Sequence, residues 1–391
     1  MEFYTNVTRY GNTLLYRGYK NGHRVQERVK FKPTLFVPNP KSDTFALDGA
    51  RVSSVQLDDM REAKEFVDRY KDMPNFKVYG NTNYVAQFIQ EKFPGQIAFD
   101  PDQVNVGFYD IEVMKTEDGY SDAADADNPI NAICYRQGNN YYLWYLKEWS
   151  RSKSELDLTG VEVQSFYCAT EANLLSAFVS WWSSPVNTPD IISGWNCRFF
   201  DTPYTINRIV KVLGEDFAKK LSPWGMVSQR SVKINGRDQQ YYDITGITEL
   251  DYLELYKKFT YTAQESYKLD HIAHVELGEN KLSYEDYKDL QDLYERDPQK
   301  FADYNIKDTG LVYRLDDKLG LINLAMTLAY RGGVNYGDTL GTTAIWDSII
   351  YRDLCSKDIV VQPNDEKMKT DFAGGYVKPP AKSVFIFSSL G

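Results

Sequence analysis

Four acidic residues and one tyrosine lie at three places in this chain of 391 residues, and their spacing is compatible with metal binding. They are Asp110, Glu112, Asp201, Tyr304 and Asp308. On a strand, acids two residues apart point to the same face, and on a helix, residues four apart lie one above the other. Ligand sets made only of oxygen suit Mg²⁺ or Mn²⁺. The pattern therefore predicts a carboxylate site that binds divalent metal.

Each of these groups also has a simpler interpretation. Asp110 and Glu112 could form a salt bridge at the edge of a strand, and Asp201 could be the N-cap of the helix that follows it. Acid-x-acid pairs also arise by chance in a chain with 55 acidic residues. An unpaired charge in the apolar segment VNVGFYDIEV is costly, however, which favours a function for the first pair. Acids on a strand, on a strand-to-helix turn and on a late helix can converge at one end of a sheet.

The composition narrows the class of protein. Three histidines make a Ser-His-Asp hydrolase or a histidine metal site unfavourable, and four scattered cysteines without a CxxC indicate a reduced compartment and no zinc site. The net charge of −10 argues against a nucleic-acid partner unless the acids bind cations. No apolar run approaches the ~18 residues that span a bilayer. We expect a soluble, intracellular protein without a secretory signal.

The elements expected to position the acids form a mixed sheet covered by helices. Residues 1–100 have the pattern of short strands and turns, including an Asn21-Gly22 hairpin turn. Three hairpin-connected strands follow, and then helices alternate with strands. A second hairpin is expected at Asn235-Gly236. One long helix is predicted to begin at Asp297 and to end at Gly332-Gly333.

Three of these segments resemble the 3′–5′ exonuclease motifs of family-B DNA polymerases. Residues 108–112 (FYDIE) resemble the first motif, residues 196–201 (NCRFFD) the second and residues 304–308 (YNIKD) the third. Two further segments resemble the polymerases of T-even-type phages, residues 220–224 (KLSPW) and residues 250–273. The resemblance covers nearly the whole chain.

The resemblance implies an α/β fold of the mixed α+β kind. It consists of an RNase H-like exonuclease domain, with a mixed five-stranded sheet and flanking helices, and a discontinuous, mostly-β N-terminal domain. The implied boundaries are 1–103 for the first part of the N-terminal domain and 104–330 for the exonuclease domain. Residues 331–380 would return to the N-terminal domain, and 381–391 would be a truncated start of the polymerase palm.

The resemblance also implies a role for each site residue. Asp110 would bridge two Mg²⁺ or Mn²⁺ ions, Glu112 and Asp308 would help to hold the ion on the nucleophile side, and Asp201 would support the other ion. Tyr304 would orient the attacking water. The DNA-binding residues would be Tyr120, Asn196, Phe200, Asn235 and Gly236.

Two of these DNA-binding assignments have alternatives. Tyr120 stands where T-even-type relatives carry a phenylalanine near the end of the primer, but it could also be a loop tyrosine that packs on its neighbours. The hairpin at Asn235-Gly236 matches a family element that helps to separate primer from template, and an ordinary surface hairpin is about equally compatible with the sequence.

We therefore expect the N-terminal portion of a phage replicative polymerase, carrying a proofreading 3′–5′ exonuclease that hydrolyses the primer-terminal phosphodiester with two metal ions. The expected partners are single-stranded and primer-template DNA, a carboxy-terminal polymerase half and other phage replication proteins, with no membrane. The expected location is the cytoplasm of the infected bacterial host. The chain alone is not expected to synthesise DNA, because palm, fingers and thumb are absent and Ser388 stands where a palm aspartate is expected.

Two other functions fit parts of the sequence. The chain could be a catalytically silent DNA-binding or assembly module of a split polymerase. Its contact face would be the basic residues Arg17, Lys20, Arg24, Arg28, Lys30 and Lys32. An RNase H-like nuclease unrelated to polymerases would leave residues 1–100 and 250–273 unexplained.

Overall fold

The computed structural model describes residues 1–74, 76–116, 119–234 and 236–362. The strands in these residues are β1 (Glu2–Tyr10), β2 (Thr13–Lys20), β3 (His23–Val29), β4 (Thr34–Pro38), β5 (Phe45–Ala46), β6 (Val52–Gln56), β7 (Val106–Val113), β8 (Ile130–Gln137), β9 (Asn140–Tyr145), β10 (Glu162–Tyr167), β11 (Ile191–Ser193), β12 (Val227–Ile234), β13 (Arg237–Ile244), β14 (Thr248–Glu249) and β15 (Ile359–Val360). The helices are α1 (Met60–Tyr70), α2 (Tyr84–Lys92), α3 (Glu171–Trp182), α4 (Asp201–Leu213), α5 (Glu215–Lys219), α6 (Tyr252–Phe259), α7 (Leu269–Leu277), α8 (Leu290–Arg296), α9 (Pro298–Leu319), α10 (Leu321–Gly332) and α11 (Thr342–Ser356). The predicted mixed α/β class is confirmed.

The amino-terminal region is built from antiparallel hairpins. Strands β1, β2 and β3 pair in that order, and β4 pairs with β6. Asn21 and Gly22 both have positive φ, at 53° and 80°, as a two-residue type I′ turn between β2 and β3 requires. The buried side chains of β1 and β2 pack into one core together with residues of α9 and α10.

The central sheet has six strands in the order β10-β9-β8-β7-β11-β14. Strands β7, β8 and β9 are antiparallel neighbours, whereas β10, β11 and β14 run parallel to the strands that they join. The implied count of five strands is therefore wrong. The sixth strand, β14, has only two residues, which is too short for alternation in the sequence to indicate it.

Helices cover both faces of this sheet. Ile133 and Tyr135 of β8 pack in a cluster with buried residues of α3 and α4. Ala132 and Cys134, which alternate with them, pack in another cluster with buried residues of α9. Because successive strand residues point to opposite faces, α9 lies on one side of the sheet and α3 and α4 lie on the other.

The predicted long helix and one other helical segment are interrupted at glycines. The long helix begins as expected, with Asp297 as N-cap and Pro298 as its first residue, but α9 ends at Gly320, which has φ 63° and separates it from α10. The helical segment after the strand β11 is likewise divided into α4 and α5 at Gly214, with φ 91°. Glycine adopts this left-handed conformation readily, so the helical periodicity continues in sequence across a break in the backbone.

A buried ion network joins the hairpins to the central sheet. Arg17 of β2 is 1% exposed, and its guanidinium donates to the backbone oxygens of Pro189 (2.9 Å) and Gly246 (2.8 Å). Asp190, which is fully buried, lies 3.3 Å from Arg17 and 3.0 Å from Arg24. The basic contact face expected for a silent DNA-binding module is therefore wrong for these two arginines, which are used inside the protein.

Some predicted segments fall outside the described residues. These are Asn235, residues 363–380 of the return segment at 331–380, Ser388 and the start of the palm at 381–391. In the part of the chain that is described, none of the helices has both the length and the apolar character needed to cross a bilayer.

Candidate active site

Asp110 and Glu112 lie on the sheet face that α9 covers. They pair across β7 and β8 with Cys134 and Ala132, which pack against α9. Asn305 of α9 donates from Nδ2 to Oδ2 of Asp110 at 2.7 Å. The two-residue spacing therefore directs both carboxylates towards the helix, and the amide of Asn305 fixes the first of them.

Asp308 completes a cluster of three carboxylates. It lies on α9, and one carboxylate oxygen each of Asp110, Glu112 and Asp308 lie within 4.8 Å of one another. Asp308 is 3% exposed, and its Oδ1 is buried with no hydrogen-bond partner among the residues that the structure describes. Three acids from a strand and a helix thus share one small volume.

Asp201 is not one of the three grouped carboxylates, but its side chain contacts the strand that carries two of them. Its Oδ1 accepts a hydrogen bond from the backbone N–H of Ile111, the residue between Asp110 and Glu112, at 3.2 Å. Phe200, not Asp201, is the N-cap of α4. The interpretation of Asp201 as a simple helix cap is therefore wrong, because its carboxylate binds the strand that carries the other acids.

The turn that leads to Asp201 is held by Asp251. The Asp251 carboxylate is 1% exposed and accepts from the backbone N–H of Asn196 at 3.1 Å and of Arg198 at 3.0 Å. Asn196 has φ 64°, an uncommon conformation for a residue other than glycine. Asp251 is also the N-cap of α6, where it accepts from Leu253 N at 2.9 Å. One carboxylate therefore stabilises both a helix start and the turn.

Tyr304 and Asp308 are linked by a lysine. Lys281 donates from Nζ to the hydroxyl of Tyr304 at 3.1 Å, and it forms an ion pair with Asp308. Tyr304 is 6% exposed, and its ring packs edge-on against Tyr284 with centroids 5.7 Å apart. The lysine thus fixes the orientation of the tyrosine hydroxyl and of the acid one turn later.

Burial and the neighbouring negative charges raise the pKa values of these carboxyl groups. Burial, together with the charges of Asp201, Glu112 and Asp308, raises the pKa of Asp110 well above its usual value. Burial and the charge of Asp308 raise the pKa of Glu112 to about 8. Burial also raises the pKa of Asp201 to about 7, although the N–H of Ile111 favours its charged form. Four acids so close cannot all be ionised cheaply without more positive charge than Lys281 supplies.

Comparison with known proteins assigns the family. Residues 80–272 match the family model described as "DNA polymerase family B, exonuclease domain". This part of the chain is a family-B exonuclease domain. The DNA-directed DNA polymerases of Escherichia phage RB69 and Enterobacteria phage T4 are 29% and 27% identical over 97% of this chain. The chain spans 44% of the length of these two relatives. The predicted resemblance is confirmed.

More distant relatives share only part of the chain. The DNA polymerase delta catalytic subunit of Bos taurus is 28% identical over an alignment of 240 residues, which covers 58% of this chain. The matched family region contains Asp110, Glu112 and Asp201, whereas Tyr304 and Asp308 follow it on α9. The structure brings these two later residues to the acids of the family-B exonuclease domain.

The donor set of this exonuclease domain fits divalent metal. Oxygen-only clusters suit hard cations such as Mg²⁺ and Mn²⁺, and the Oδ1 of Asp308, which has no hydrogen-bond partner among the described residues, is available to such a cation. Burial, with added repulsion from neighbouring acids, raises the pKa values of Asp110 and Glu112, and a bound cation would favour their charged forms. The fold and the acidic cluster together support the use of divalent metal.

The residues expected to bind DNA lie on different segments of the chain. Tyr120 is 52% exposed, and burial and then the charges of Asp289 and Glu112 raise its pKa. Asn196 is exposed at the turn, and Phe200 is partly buried against Tyr204, with ring centroids 5.6 Å apart. Tyr120 therefore lies on one segment of the chain, and Asn196 and Phe200 lie on another, the turn before α4.

The predicted hairpin at residues 235–236 is present as the pair β12 and β13, and Gly236 has φ 81°. Asn235 lies outside the described residues.

Sequence reasoning missed three residues of this site: Asn305, Lys281 and Asp251. Asn305 is inside the YNIKD segment, so its position beside Tyr304 was an available signal. Lys281 lies in the connection after α7, and no fixed spacing relates it to α9. Asp251 has only the signal of a helix N-cap, which does not reveal its contacts with the turn at residues 196–198.

Proposed function

We propose that this chain is a 3′–5′ exonuclease that hydrolyses the terminal phosphodiester of a DNA strand with Mg²⁺ or Mn²⁺. The convergence of Asp110, Glu112 and Asp308 within 4.8 Å, in a chain with a family-B exonuclease domain, carries this proposal. Two ions held by shared carboxylates supply a hydroxide nucleophile and neutralise charge at phosphorus.

The residues of the site have distinct roles in this proposal. Asp110, Glu112 and Asp308 would hold one ion, and Asp110 and Asp201 would hold the other. Asn305 orients the Asp110 carboxylate through its 2.7 Å hydrogen bond. These contacts keep the ligands in place before substrate arrives, so the reaction does not have to order them.

Tyr304 would position the attacking water. Its hydroxyl accepts a hydrogen bond from Lys281 and interacts with the Asp308 carboxylate, so it lies where it would donate its proton to a water beside Asp308. Burial, followed by the charge of Asp308, raises the pKa of Tyr304, which keeps this proton on the hydroxyl across the range in which enzymes work. The tyrosine would orient water without becoming charged.

The DNA contacts are proposed from exposure and position. Tyr120, half exposed and within the electrostatic influence of Glu112, would stack on a base of the single-stranded primer end. The turn at Asn235 and Gly236 would help to separate primer from template, and Asn196 and Phe200 would contact the strand beside Asp201.

The wider context is also a proposal, because the chain spans 44% of its phage relatives. We propose that the exonuclease proofreads for a phage replicative polymerase in the cytoplasm of the infected bacterium. A carboxy-terminal polymerase half and other phage replication proteins would be its partners. The proposed division has N-terminal domain segments at 1–103 and 331–380, the exonuclease at 104–330 and the palm from 381.

A double substitution tests the activity. Asp110→Ala with Glu112→Ala should abolish the release of 5′-monophosphates from a 5′-labelled single-stranded oligonucleotide in Mg²⁺ or Mn²⁺. Asp125→Ala with Asp127→Ala is the matched control, because it removes an acid-x-acid pair that is exposed on a loop. Equal digestion by the wild type and the Asp110/Glu112 variant, both folded by circular dichroism, would refute the proposal.

A further inference from the structure

A cavity lies at the opposite end of β7 from the acids of the candidate active site. It has a volume of about 810 Å³, and it is lined by residues 101–106, by the turn 137–140 between β8 and β9, and by part of α10. β7 begins at Val106 and reaches Asp110 only later, whereas the turn at 137–140 lies beside its start because β8 is antiparallel to it. The described lining contains none of the carboxylates of the candidate active site.

The lining combines rings with carboxamides. The aromatic residues are Tyr19, Phe108, Tyr142 and Tyr313. The carboxamide residues include Gln103, Asn105, Gln137, Asn139, Asn140 and Asn323. Tyr142 and Tyr313 are partly exposed, and Asn139, Asn140 and Asn323 are exposed. Aromatic faces stack on bases, and carboxamides can both donate to and accept from the edges of bases.

Three charged residues, Arg24, Asp102 and Asp316, line this cavity, and two of them are paired within the protein. Arg24 lines it but is paired with Asp190 at 3.0 Å. Asp316 also lines it, and this carboxylate accepts from the backbone N–H of Ile322 at 3.0 Å. Asp102 lines it as well, and its exposed carboxylate repels anions. The cavity is therefore suited to a planar, uncharged group with donors and acceptors on its edge. A phosphate would not find a free arginine here.

One amide of the lining is left incompletely paired. Asn105 is 8% exposed, and its Nδ2 donates to the backbone oxygens of Asn187 and Thr188 at 3.3 Å each. Its Oδ1 is buried and has no hydrogen-bond partner within the described part of the chain. Buried acceptors are nearly always paired, so an acceptor left over beside a cavity is a sign of a ligand that donates a hydrogen bond.

We propose that this cavity binds a nucleobase, with Tyr142 or Tyr313 stacked on its ring and the carboxamides of Asn105, Asn140 and Asn323 around its edge. The volume accommodates a base with its sugar. The base comes from a DNA strand or from a free nucleotide, since both present the same ring. Binding requires no metal ion, which separates this cavity from the carboxylate cluster and makes the inference independent of the hydrolytic reaction.

The experiment uses the whole chain in EDTA and follows the fluorescence of 2-aminopurine. The first probe is a single-stranded oligonucleotide with one 2-aminopurine, and the second is 2-aminopurine deoxyribonucleoside monophosphate. The competitor is the same oligonucleotide with an abasic site in place of the 2-aminopurine. Saturable, base-dependent binding is expected, and it should persist in the Asp110→Ala/Glu112→Ala variant. Binding of the oligonucleotide alone identifies a strand as the source, and binding of the monophosphate identifies a free nucleotide.

Two variants assign the binding to the cavity. Asn140→Ala with Asn323→Ala removes two exposed carboxamides and should weaken binding about tenfold, the loss expected for one good pair of base-edge hydrogen bonds. Asn323→Trp should fill the cavity and abolish binding. Gln164→Ala, which removes an exposed carboxamide on β10, is the control.

Three results would overturn the inference. They are equal competition by the abasic oligonucleotide, absence of saturable binding by every probe, and unchanged binding in both cavity variants. Digestion of a labelled strand in Mg²⁺ by the same variants is measured in parallel. The exonuclease can therefore be present without base binding, or base binding without the exonuclease, and the two proposals fail separately.

Discussion

Replacing Asp251 by serine separates two roles that this carboxylate has in the structure. Oδ1 accepts from Leu253 N, which begins α6, and from Asn196 N, while Oδ2 accepts from Arg198 N at 3.0 Å. Burial raises the pKa of Asp251 to about 6, and the N–H of Arg198 opposes this shift. At pH 8 the group is therefore a carboxylate. Serine caps a helix about as well as aspartate, but its single oxygen cannot also hold the turn.

The expected loss in the free energy of unfolding follows from the two lost hydrogen bonds to the turn. A hydrogen bond to a charged group contributes ~1.5–3 kcal/mol, so two of them contribute ~3–6 kcal/mol. Asn196 is exposed, so water can reach the released turn and the lower end of this range is expected. Asp201 follows Arg198 by three residues, and a released turn moves it away from Ile111 N. Misplacement of a catalytic group by 1 Å can cost about 10²-fold in rate.

The assay measures exonuclease rate against Mg²⁺ concentration, together with thermal denaturation. Asp251→Ser should lower the maximal rate by about 10²-fold and raise the Mg²⁺ concentration for half-maximal activity. Asp59→Ser is the control, because Asp59 caps α1 through Arg61 N and Glu62 N and lies in the N-terminal hairpin region. If Asp251→Ser loses stability but keeps the wild-type rate and Mg²⁺ dependence, the carboxylate is a structural cap only and our reasoning is wrong.

Two further predictions concern single side chains of the site, and a third concerns Glu249, a carboxyl group on β14. Tyr304→Phe should lower the rate by ~10²–10⁴-fold, as the loss of a positioning group does, while Mn²⁺ binding measured by calorimetry is retained; an unchanged rate would show that the residue only packs in α9. Lys281→Met should lower the melting temperature of the metal-free protein more than that of the Mg²⁺-loaded protein, because bound ions replace the lost charge beside Asp308; equal losses would contradict this. Burial raises the pKa of Glu249 from 4.5 to about 8, so the folded state binds more protons than the unfolded state between these values and the free energy of unfolding falls as pH rises through this window. Glu249→Gln should flatten that dependence in urea titrations at pH 5, 6.5 and 8, and identical slopes would refute the assignment.

The sequence by itself determined the local features of this protein. Asp297 caps α9 as predicted, and Thr170 caps α3 in the same way, because a cap depends on a side chain and on backbone groups two or three residues away. The alternation in β7 indicated that Asp110 and Glu112 share a face, and the order of the three motifs indicated the family. Each of these conclusions needs only residues that are near in sequence, or a pattern compared between whole sequences.

The tertiary structure alone decided which distant groups meet. Lys281 reaches Asp308 from a loop 27 residues upstream, and Asp251 holds a turn that precedes it by 53 to 55 residues. Arg17 has the sequence context of an exposed hairpin, yet it is buried against Asp190, 173 positions away. Loops have no fixed periodicity that relates them to the elements they contact. The compensation of buried charge is therefore set by how sheets and helices pack, and the spacing of residues along the chain does not encode it.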